Sequence, residues 1–285
     1  MKDVLVASVF ANSPRNETWL RLQRSFLQQT TASHDHAVFL NHCDWSDGFQ
    51  ESLIIGSRSE KTRSGPGKES ADHAAALTEV FRYFREHTEY SYYLLLDSDC
   101  FPVRRDWLPA LVRKMKHFQF AAPMRSENLE DFPHPCALFL TKAALERPWN
   151  LTVTHRWNLL GKPFVDLGCS LPTEGWYPLL RTNVYNPHPV LAAIYKHLFY
   201  HHGAGSRELY FRTERYYDYI DDHAKVEAEI YSRLEADPTK FIYELMGGDG
   251  LAPAPTSTLS APGPTRKGSE QAPSYSSPGA PSDLG

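Results

Sequence analysis

The stretch Tyr92-Tyr93-Leu94-Leu95-Leu96-Asp97-Ser98-Asp99 decides the fold, because an unbroken apolar run leads directly into two aspartates. A continuous apolar run of this length is typical of a strand that is covered on both faces, as in a parallel sheet with helices on either side. Residues i and i+2 project to the same side of an extended chain. Asp97 and Asp99 are therefore expected to present their carboxylates together at the carboxyl end of this strand.

Strand-like and helix-like segments alternate before this stretch. Val4 to Phe10 predicts a first buried strand, and His36 to Leu40 predicts a second one. Apolar residues at helical spacing predict helices from Thr18 to Thr30 and from Lys68 to His87. This alternation indicates an α/β domain with a mostly parallel, Rossmann-like central sheet flanked by helices.

The second half of the chain is less regular. Cys136 to Leu140 predicts a further strand, Pro189 to Phe199 a helix, and Glu214 to Leu234 a terminal helix or helix pair. From about Gly247 onward the chain is rich in Pro, Ser, Gly and Ala, and such a composition buries too little apolar surface to fold. We therefore expect a folded domain over residues 1–246 and a disordered tail over residues 247–285.

Composition argues against several classes of protein. The net charge of −4 gives no general attraction to nucleic acid or to an anionic membrane. No apolar run approaches the roughly 20 residues that a membrane span needs. The four cysteines form no C-x-x-C pair, which disfavours a zinc knuckle. We expect a soluble cytoplasmic protein without a membrane span.

The paired aspartates suggest metal chemistry. Two carboxylates at a strand end suit a hard divalent cation such as Mn²⁺ or Mg²⁺, which can bridge a diphosphate and neutralise its charge as it departs. Two aspartates can also simply cap a turn, but the apolar strand before them favours the metal site. Polar clusters also fall at the ends of the other two predicted strands, at Ser8 to Ser13 and at Asn41 to Asp44. Ligands of such sheets bind beyond the carboxyl ends of the strands.

The order of these segments resembles that of GT-A glycosyltransferases of the family 2 type. Tyr92 to Asp99 is similar to the DxD segment of that family, and Ser25-Phe26-Leu27-Gln28-Gln29-Thr30 is similar to the helix before its second strand. Lys68 to Ala74 lies where the family has a helix packed beside the donor nucleotide. The likeness covers residues 3–125 well and residues 126–210 loosely.

The resemblance implies a metal-dependent hexosyltransferase that moves a sugar from a nucleotide diphosphate sugar, most commonly a UDP-sugar, to an acceptor hydroxyl with inversion. It implies that Asp97 and Asp99 bind Mn²⁺ or Mg²⁺ together with a late histidine. His201 and His202 are the candidates for that histidine, and we favour His202. The implied contacts to the donor are made by Ser8, Phe10, Ala11, Asp44, Asp72, Asp97, Ser98 and Arg207.

An inverting transferase also needs a carboxylate base to deprotonate the acceptor. By position in the resembling family, Asp166 in Phe164-Val165-Asp166 is the first candidate and Glu174 the second. The usual acidic pair of the family is missing, so a role of Asp166 in a loop stays equally open. The acceptor is a glycan, a protein, a small molecule or a modified DNA base such as hydroxymethylpyrimidine.

Three other functions compete with this interpretation. A phosphatase of the haloacid dehalogenase type also has Asp-x-Asp after an apolar strand, but it carries Thr or Val where this chain has Phe101. A nucleotidyltransferase has a glycine-rich basic loop after its first strand, whereas residues 11–15 contain no glycine. A non-catalytic binding module with the same fold is the third alternative, and Asp97, Asp99 and His202 argue against it.

Overall fold

The computed structural model describes residues 3–11, 13–43, 53–58, 68–157, 163–166, 170–203 and 223–248. All of them belong to one compact unit, Met1–Ala252. Apart from Gly247 and Gly248, the expected tail over residues 247–285 lies outside the described residues, and its disorder stays a prediction. In chain order the elements are β1 (Val4–Ala11), α1 (Asn16–Gln28), β2 (His34–Asn41), β3 (Leu53–Arg58), α2 (Lys68–Glu86), β4 (Tyr92–Asp97), β5 (Cys100–Pro102), α3 (Trp107–Lys114), β6 (Phe120–Met124), β7 (Ala137–Thr141), α4 (Lys142–Leu145), β8 (Thr154–Trp157), β9 (Pro163–Asp166), β10 (Trp176–Leu180), β11 (Ala193–Tyr195), β12 (Phe199–His201), α5 (His223–Ala236) and α6 (Pro238–Leu245).

A seven-stranded sheet forms the centre of the unit, with the strand order β10-β6-β7-β4-β1-β2-β3. Its strands pair in parallel, except that β7 runs antiparallel to both β4 and β6. Strand β1 has β2 on one side and β4 on the other. The predicted α/β fold class with a mostly parallel central sheet is therefore confirmed.

Helices cover both faces of this sheet. Phe10 and Val38 share a core with side chains of α1, α5 and α6. On the other face, Leu5, Ala7 and Phe39 share a core with side chains of α2. Because alternate residues of one strand enter opposite cores, the inner strands are apolar throughout, as the run from Tyr92 indicated. Within the described residues, no helix combines the length and apolarity that crossing a bilayer requires.

The helix predicted over Pro189 to Phe199 was wrong. This segment instead contains β11, which forms an antiparallel hairpin with β12, and β12 pairs with β5. Lys196 and His197 make the turn between the two strands in the left-handed region, with φ of 51° and 55°, a conformation typical of tight hairpins. Val190 to Tyr195 is buried throughout. A short run that is apolar on every side has no period that distinguishes a helix from a strand.

One buried side chain holds the turn that follows β4. Gln23 lies on α1 and is fully buried. Its Nε2 donates hydrogen bonds to the backbone carbonyls of Asp97 at 2.7 Å, Ser98 at 3.1 Å and Cys100 at 2.8 Å. A buried carbonyl without a donor costs about as much free energy as a lost hydrogen bond. Gln23 therefore fixes the conformation of the turn between β4 and β5.

We expect the Gln23→Met variant to lose about 2–4 kcal/mol of unfolding free energy, because three buried carbonyls lose their donor while the side-chain volume is nearly kept. Urea unfolding followed by circular dichroism measures this loss. Gln28→Met, at an exposed position of the same helix, is the matched control and should change stability by less than about 0.5 kcal/mol. Equal stabilities of the two variants would contradict the role of Gln23.

Candidate metal centre

Three side chains that can bind a metal converge at the carboxyl edge of the central sheet. Asp97 ends β4, Asp99 lies in the following turn, and His201 ends β12. One ligand atom from each of them lies within 4.8 Å of the ligand atoms of the other two. The two aspartates predicted from the sequence therefore do meet, and a histidine from a segment about 100 residues away joins them.

The antiparallel sheet of β5, β11 and β12 brings this histidine into place. In its register His201 lies opposite Cys100, the residue after Asp99. The backbone N–H of His202 donates to the carbonyl oxygen of Asp99 at 3.1 Å. Backbone pairing thus sets the distance between the end of β12 and the aspartate turn.

The charges at this site are buried. Asp99 and His201 are only 4% and 5% exposed, and His201 Nε2 lies 3.6 Å from Asp99 Oδ1. Asp97 Oδ1 is buried, and no donor in the described part of the chain makes a well-directed hydrogen bond to it, although His73 Nε2 approaches to 3.3 Å. A buried carboxylate oxygen that lacks a well-directed donor is costly, and a bound cation would reduce this cost.

Neighbouring positive charges partly balance the carboxylates. Burial alone would raise the pKa of Asp97, but His73, His201 and Arg125 together hold this pKa below its usual value. Burial has the opposite effect on His201 and would lower its pKa. Its contacts with Cys136 and with the carboxylates of Asp99 and Asp97 instead raise the pKa of His201 to about 9. Asp97 therefore remains ionised, which is the form that binds a metal, whereas His201 has to release its proton before its ring can bind one.

The donor set suits a hard or borderline divalent cation. Two carboxylates and one imidazole fit Mn²⁺ well, and Mg²⁺ is commonly held by one or two carboxylates together with substrate phosphates. Asp97 and Asp99 would supply the oxygen ligands and His201 the nitrogen ligand. The residues present thus fit the metal that the sequence led us to expect.

The histidine in this group is His201, whereas we favoured His202 from the sequence. The ring of His202 is fully buried elsewhere, and both of its nitrogens have protein partners. Tyr200 Oη lies 2.8 Å from Nδ1, and Glu227 Oε1 lies 2.9 Å from Nε2. Adjacent residues of a strand face opposite sides, so only one of the two histidines can reach the aspartates.

Arg125 is a charged residue at this edge that sequence reasoning missed. It directly follows β6, and it makes two hydrogen bonds to Glu130, from Nε at 2.9 Å and from Nη2 at 2.5 Å. Its charge contributes to the lowered pKa of Asp97. Ligands of such sheets bind beyond the carboxyl ends of the strands. A sequence prediction of β6 would therefore have made Arg125 a candidate site residue.

Other predicted donor contacts lie near the same edge. The carbonyl of Ala11, the last residue of β1, accepts a hydrogen bond from Asn16 Nδ2 at 2.7 Å. Asp72 lies on α2 beside His73, and its Oδ2 is 3.5 Å from His42 Nε2. Ser98 lies between the two aspartates and is 3% exposed. Donor contacts by Ala11, Asp72, Asp97 and Ser98 stay predictions.

Three other residues that we predicted to contact the donor or to act as the base do not present their side chains at the metal centre. Ser8 is fully buried inside β1, and its hydroxyl lies 2.9 Å from His36 Nε2. The ring of Phe10 is fully buried in the core beneath α1. Glu174 is 88% exposed at its side chain and precedes β10, which runs parallel to β4, so it lies at the opposite edge of the sheet from Asp97. Those edges are roughly 15–20 Å apart for strands of this length.

The remaining predicted residues lie wholly or partly outside the described residues. Asp44 and Arg207 lie outside the described residues. Asp166 ends β9, which pairs with β8 in a separate two-stranded sheet, and its side chain is outside the description. Its role as a base stays a prediction.

No family model matches this sequence, and no curated protein matches it. The structure is similar to a mannosyltransferase from Pyrobaculum calidifontis in complex with GDP-Man and Mn²⁺, with a TM-score of 0.38, 11% identity, and coverage of 53% of this chain and 50% of that one. It is similar to a glycosyltransferase involved in glycosylation of the major capsid of PBCV-1, with a TM-score of 0.29, 11% identity, and coverage of 50% and 62%. It is also similar to TarS from S. aureus in complex with UDP-GlcNAc, with a TM-score of 0.31, 15% identity, and coverage of 50% and 46%.

The chain spans only about half of the mannosyltransferase and of TarS, and the TM-scores are low.

We expect the Asp99→Asn variant to bind Mn²⁺ at least tenfold more weakly than the wild type, because a neutral amide replaces an anionic ligand. Isothermal titration calorimetry measures the affinity, and the melting temperature should change little. Asp131→Asn, at an exposed position, is the matched control and should bind Mn²⁺ like the wild type. Unchanged Mn²⁺ affinity of Asp99→Asn would exclude this aspartate as a ligand.

Glu227, which contacts Nε2 of His202, is expected to make the stability of the protein depend on pH in the acidic range. Burial alone would raise the pKa of Glu227, but His202 and Arg15 lower it to about 2, from 4.5 in the unfolded chain. A carboxylate whose pKa is lower in the folded protein stabilises the fold at pH values above its pKa in the unfolded chain. This stabilisation is lost as the pH falls toward the folded pKa of about 2. We expect Glu227→Gln to be about 3 kcal/mol less stable than the wild type at pH 7, and the difference to shrink to roughly half at pH 3.

Urea unfolding at both pH values measures this difference. The exposed Glu229 lies on the same helix, and Glu229→Gln should match the wild type at each pH. A stability difference for Glu227→Gln that does not depend on pH would contradict the assignment.

Proposed function

We propose that this protein is a metal-dependent glycosyltransferase that moves a sugar from a nucleotide diphosphate sugar, most commonly a UDP-sugar, to an acceptor hydroxyl. The observation that carries the proposal is the convergence of Asp97, Asp99 and His201 at the carboxyl edge of a mostly parallel sheet. When bound there, Mn²⁺ or Mg²⁺ supplies positive charge that stabilises the departing nucleoside diphosphate. The sequence resemblance to GT-A enzymes supports the same reaction.

The protein side chains around the metal centre suit an anionic donor. His73 approaches Asp97 from α2, and Arg125 adds positive charge from the end of β6. Glu130 fixes the guanidinium of Arg125 through two hydrogen bonds. A diphosphate near the three ligands would meet positive groups that the fold already holds in place, which lowers the reorganisation needed during transfer.

The donor nucleotide is proposed to lie along the ends of β1 and β2. Ala11, Asp72, Asp97 and Ser98 are the contacts that fit this placement, and Asp44 and Arg207 follow from the resemblance alone. A mannosyltransferase similar in structure holds GDP-Man with Mn²⁺, and TarS holds UDP-GlcNAc. Both uridine and guanosine donors therefore belong in the first test.

Asp166 remains our proposal for the base of an inverting reaction. Two carboxylates that follow β6 are already engaged, since Glu130 pairs with Arg125 and Glu127 accepts a hydrogen bond from Tyr195 Oη at 2.6 Å. Glu174 lies at the wrong edge of the sheet. A base must reach the acceptor hydroxyl directly or through one water, and of the two candidates that the resemblance implied, Asp166 is the one that remains.

The function is tested by a panel of UDP- and GDP-sugars with the full chain, in which release of the nucleoside diphosphate is measured with Mn²⁺ and with excess EDTA. We expect release from at least one donor, its loss in EDTA, and its return when Mn²⁺ is added. His201→Ala should lower the rate at least tenfold, because it removes one of three metal ligands, whereas the exposed His117→Ala should not.

Two results would overturn the proposal. Turnover that is undiminished in EDTA would exclude the metal. Mn²⁺ binding without release from any donor, with or without added acceptor sugars, would favour a non-catalytic binding module.

A further inference from the structure

His201 and its neighbour His202 divide two tasks at the end of β12. The ring of His201 joins the metal centre. The ring of His202 is fully buried among aromatic side chains, with ring centroids 5.1 Å from Trp19 and 6.2 Å from Tyr231. A polar ring in such surroundings is tolerated only when its nitrogens are hydrogen-bonded.

Both nitrogens of His202 meet this condition. Tyr200 Oη lies 2.8 Å from Nδ1, and Glu227 Oε1 lies 2.9 Å from Nε2. If the tyrosine hydroxyl donates to Nδ1 and the Nε2–H donates to the carboxylate, a neutral imidazole satisfies both contacts. The orientation of the ring is then fixed from two sides.

Glu227 is itself fixed by a residue from the other end of the chain. Arg15 Nη1 and Nη2 donate to its two carboxylate oxygens, the second contact measuring 3.1 Å. The guanidinium of Arg15 also lies over the ring of Tyr231, 3.9 Å from its centroid. Arg15 stands just before α1, so this buried network joins the start of α1, the end of β12 and helix α5.

The backbone of His202 carries the restraint to the metal ligands. Its N–H donates to the carbonyl of Asp99 at 3.1 Å, and its carbonyl accepts from Ala192 N at 2.9 Å. The peptide between His201 and His202 therefore lies between the anchored ring and the aspartate turn. A shift of the His202 ring would move this peptide, and with it one histidine ligand and the carbonyl partner of one aspartate ligand.

We infer that Glu227 is a positioning residue of the metal centre: it anchors His202, and through the His202 backbone it sets the placement of His201 and Asp99. The inference deepens the proposed function and rests on it, because the metal centre is the site that Glu227 would serve. Groups that orient metal ligands without touching the metal typically change its affinity by about 10–100-fold when they are removed. Helix α5 would then be part of the functional unit and not only of its outer packing.

A purely structural role for Glu227 predicts something different. A buried ion pair that only joins α5 to α1 would lower the unfolding free energy when broken, but the folded molecules would bind metal as before. The Mn²⁺ affinity of protein that is verified as folded therefore separates the two roles, and it does not depend on catalytic turnover.

The experiment compares Glu227→Ala, Glu227→Gln and the control Glu229→Ala by Mn²⁺ titration calorimetry, well below each melting temperature and with folding verified by circular dichroism. We expect the dissociation constant for Mn²⁺ to rise at least tenfold in Glu227→Ala. It should rise less in Glu227→Gln, because the amide oxygen can still accept the hydrogen bond from His202. The Glu229→Ala control should match the wild type.

Wild-type Mn²⁺ affinity in Glu227→Ala and Glu227→Gln would overturn the inference while leaving the metal centre intact. If Glu227→Ala does not fold, Glu227→Gln decides alone, with at least a threefold weaker affinity expected. An equal loss of affinity in Glu229→Ala would also overturn the inference, since it would show a general effect of charge on α5. Absence of Mn²⁺ binding by the wild type would refute the metal centre of the proposed function itself, which is a separate outcome.

Discussion

The amide of a single buried glutamine holds the turn on which the candidate site depends. Gln23 donates to three carbonyls between Asp97 and Cys100, while its own oxygen, among the described residues, has no hydrogen-bond partner. Two carboxylates close to each other repel, and a turn without such restraint would relax by moving them apart. The cost of one unpaired oxygen is the kind of local penalty that proteins carry at functional sites. The hydrogen bonds of Gln23 keep both aspartates at one edge of the sheet.

The charges at this edge of the sheet are also incompletely balanced. Asp97 and Asp99 are drawn together by the fold, and positive charge reaches Asp97 from three different segments through His73, Arg125 and His201. These groups reduce the repulsion but leave a buried oxygen of Asp97 without a well-directed donor. Burying charge is costly unless it is paired. A cation bound there would therefore stabilise a site with an incomplete complement of donors, and this is the physical basis of the metal-dependent chemistry proposed for the protein.

The second layer of organisation is the division between two neighbouring histidines. His201 faces the aspartates, whereas His202 faces the interior and is tied through Glu227 and Arg15 to α5 and α1. The network combines an ion pair, a stacked guanidinium and an aromatic enclosure, so its members have few alternative positions. It connects chain segments that are 212 residues apart in sequence. The end of β12 thus contributes one ligand and one anchor within two residues.

The sequence by itself determined the α/β class, the strands β1, β2 and β4, the helices α1 and α2, and the acidic pair at the end of β4, because each follows from a local period or from the end of an apolar run. Only the tertiary structure decided that His201 and not His202 joins the pair, that Arg125 lies beside it, and that Glu174 lies at the opposite edge. The apolar segment before Tyr195 formed a hairpin strand and not a helix for the same reason. Strand pairing between distant segments sets which side chains meet, and no local pattern records that pairing.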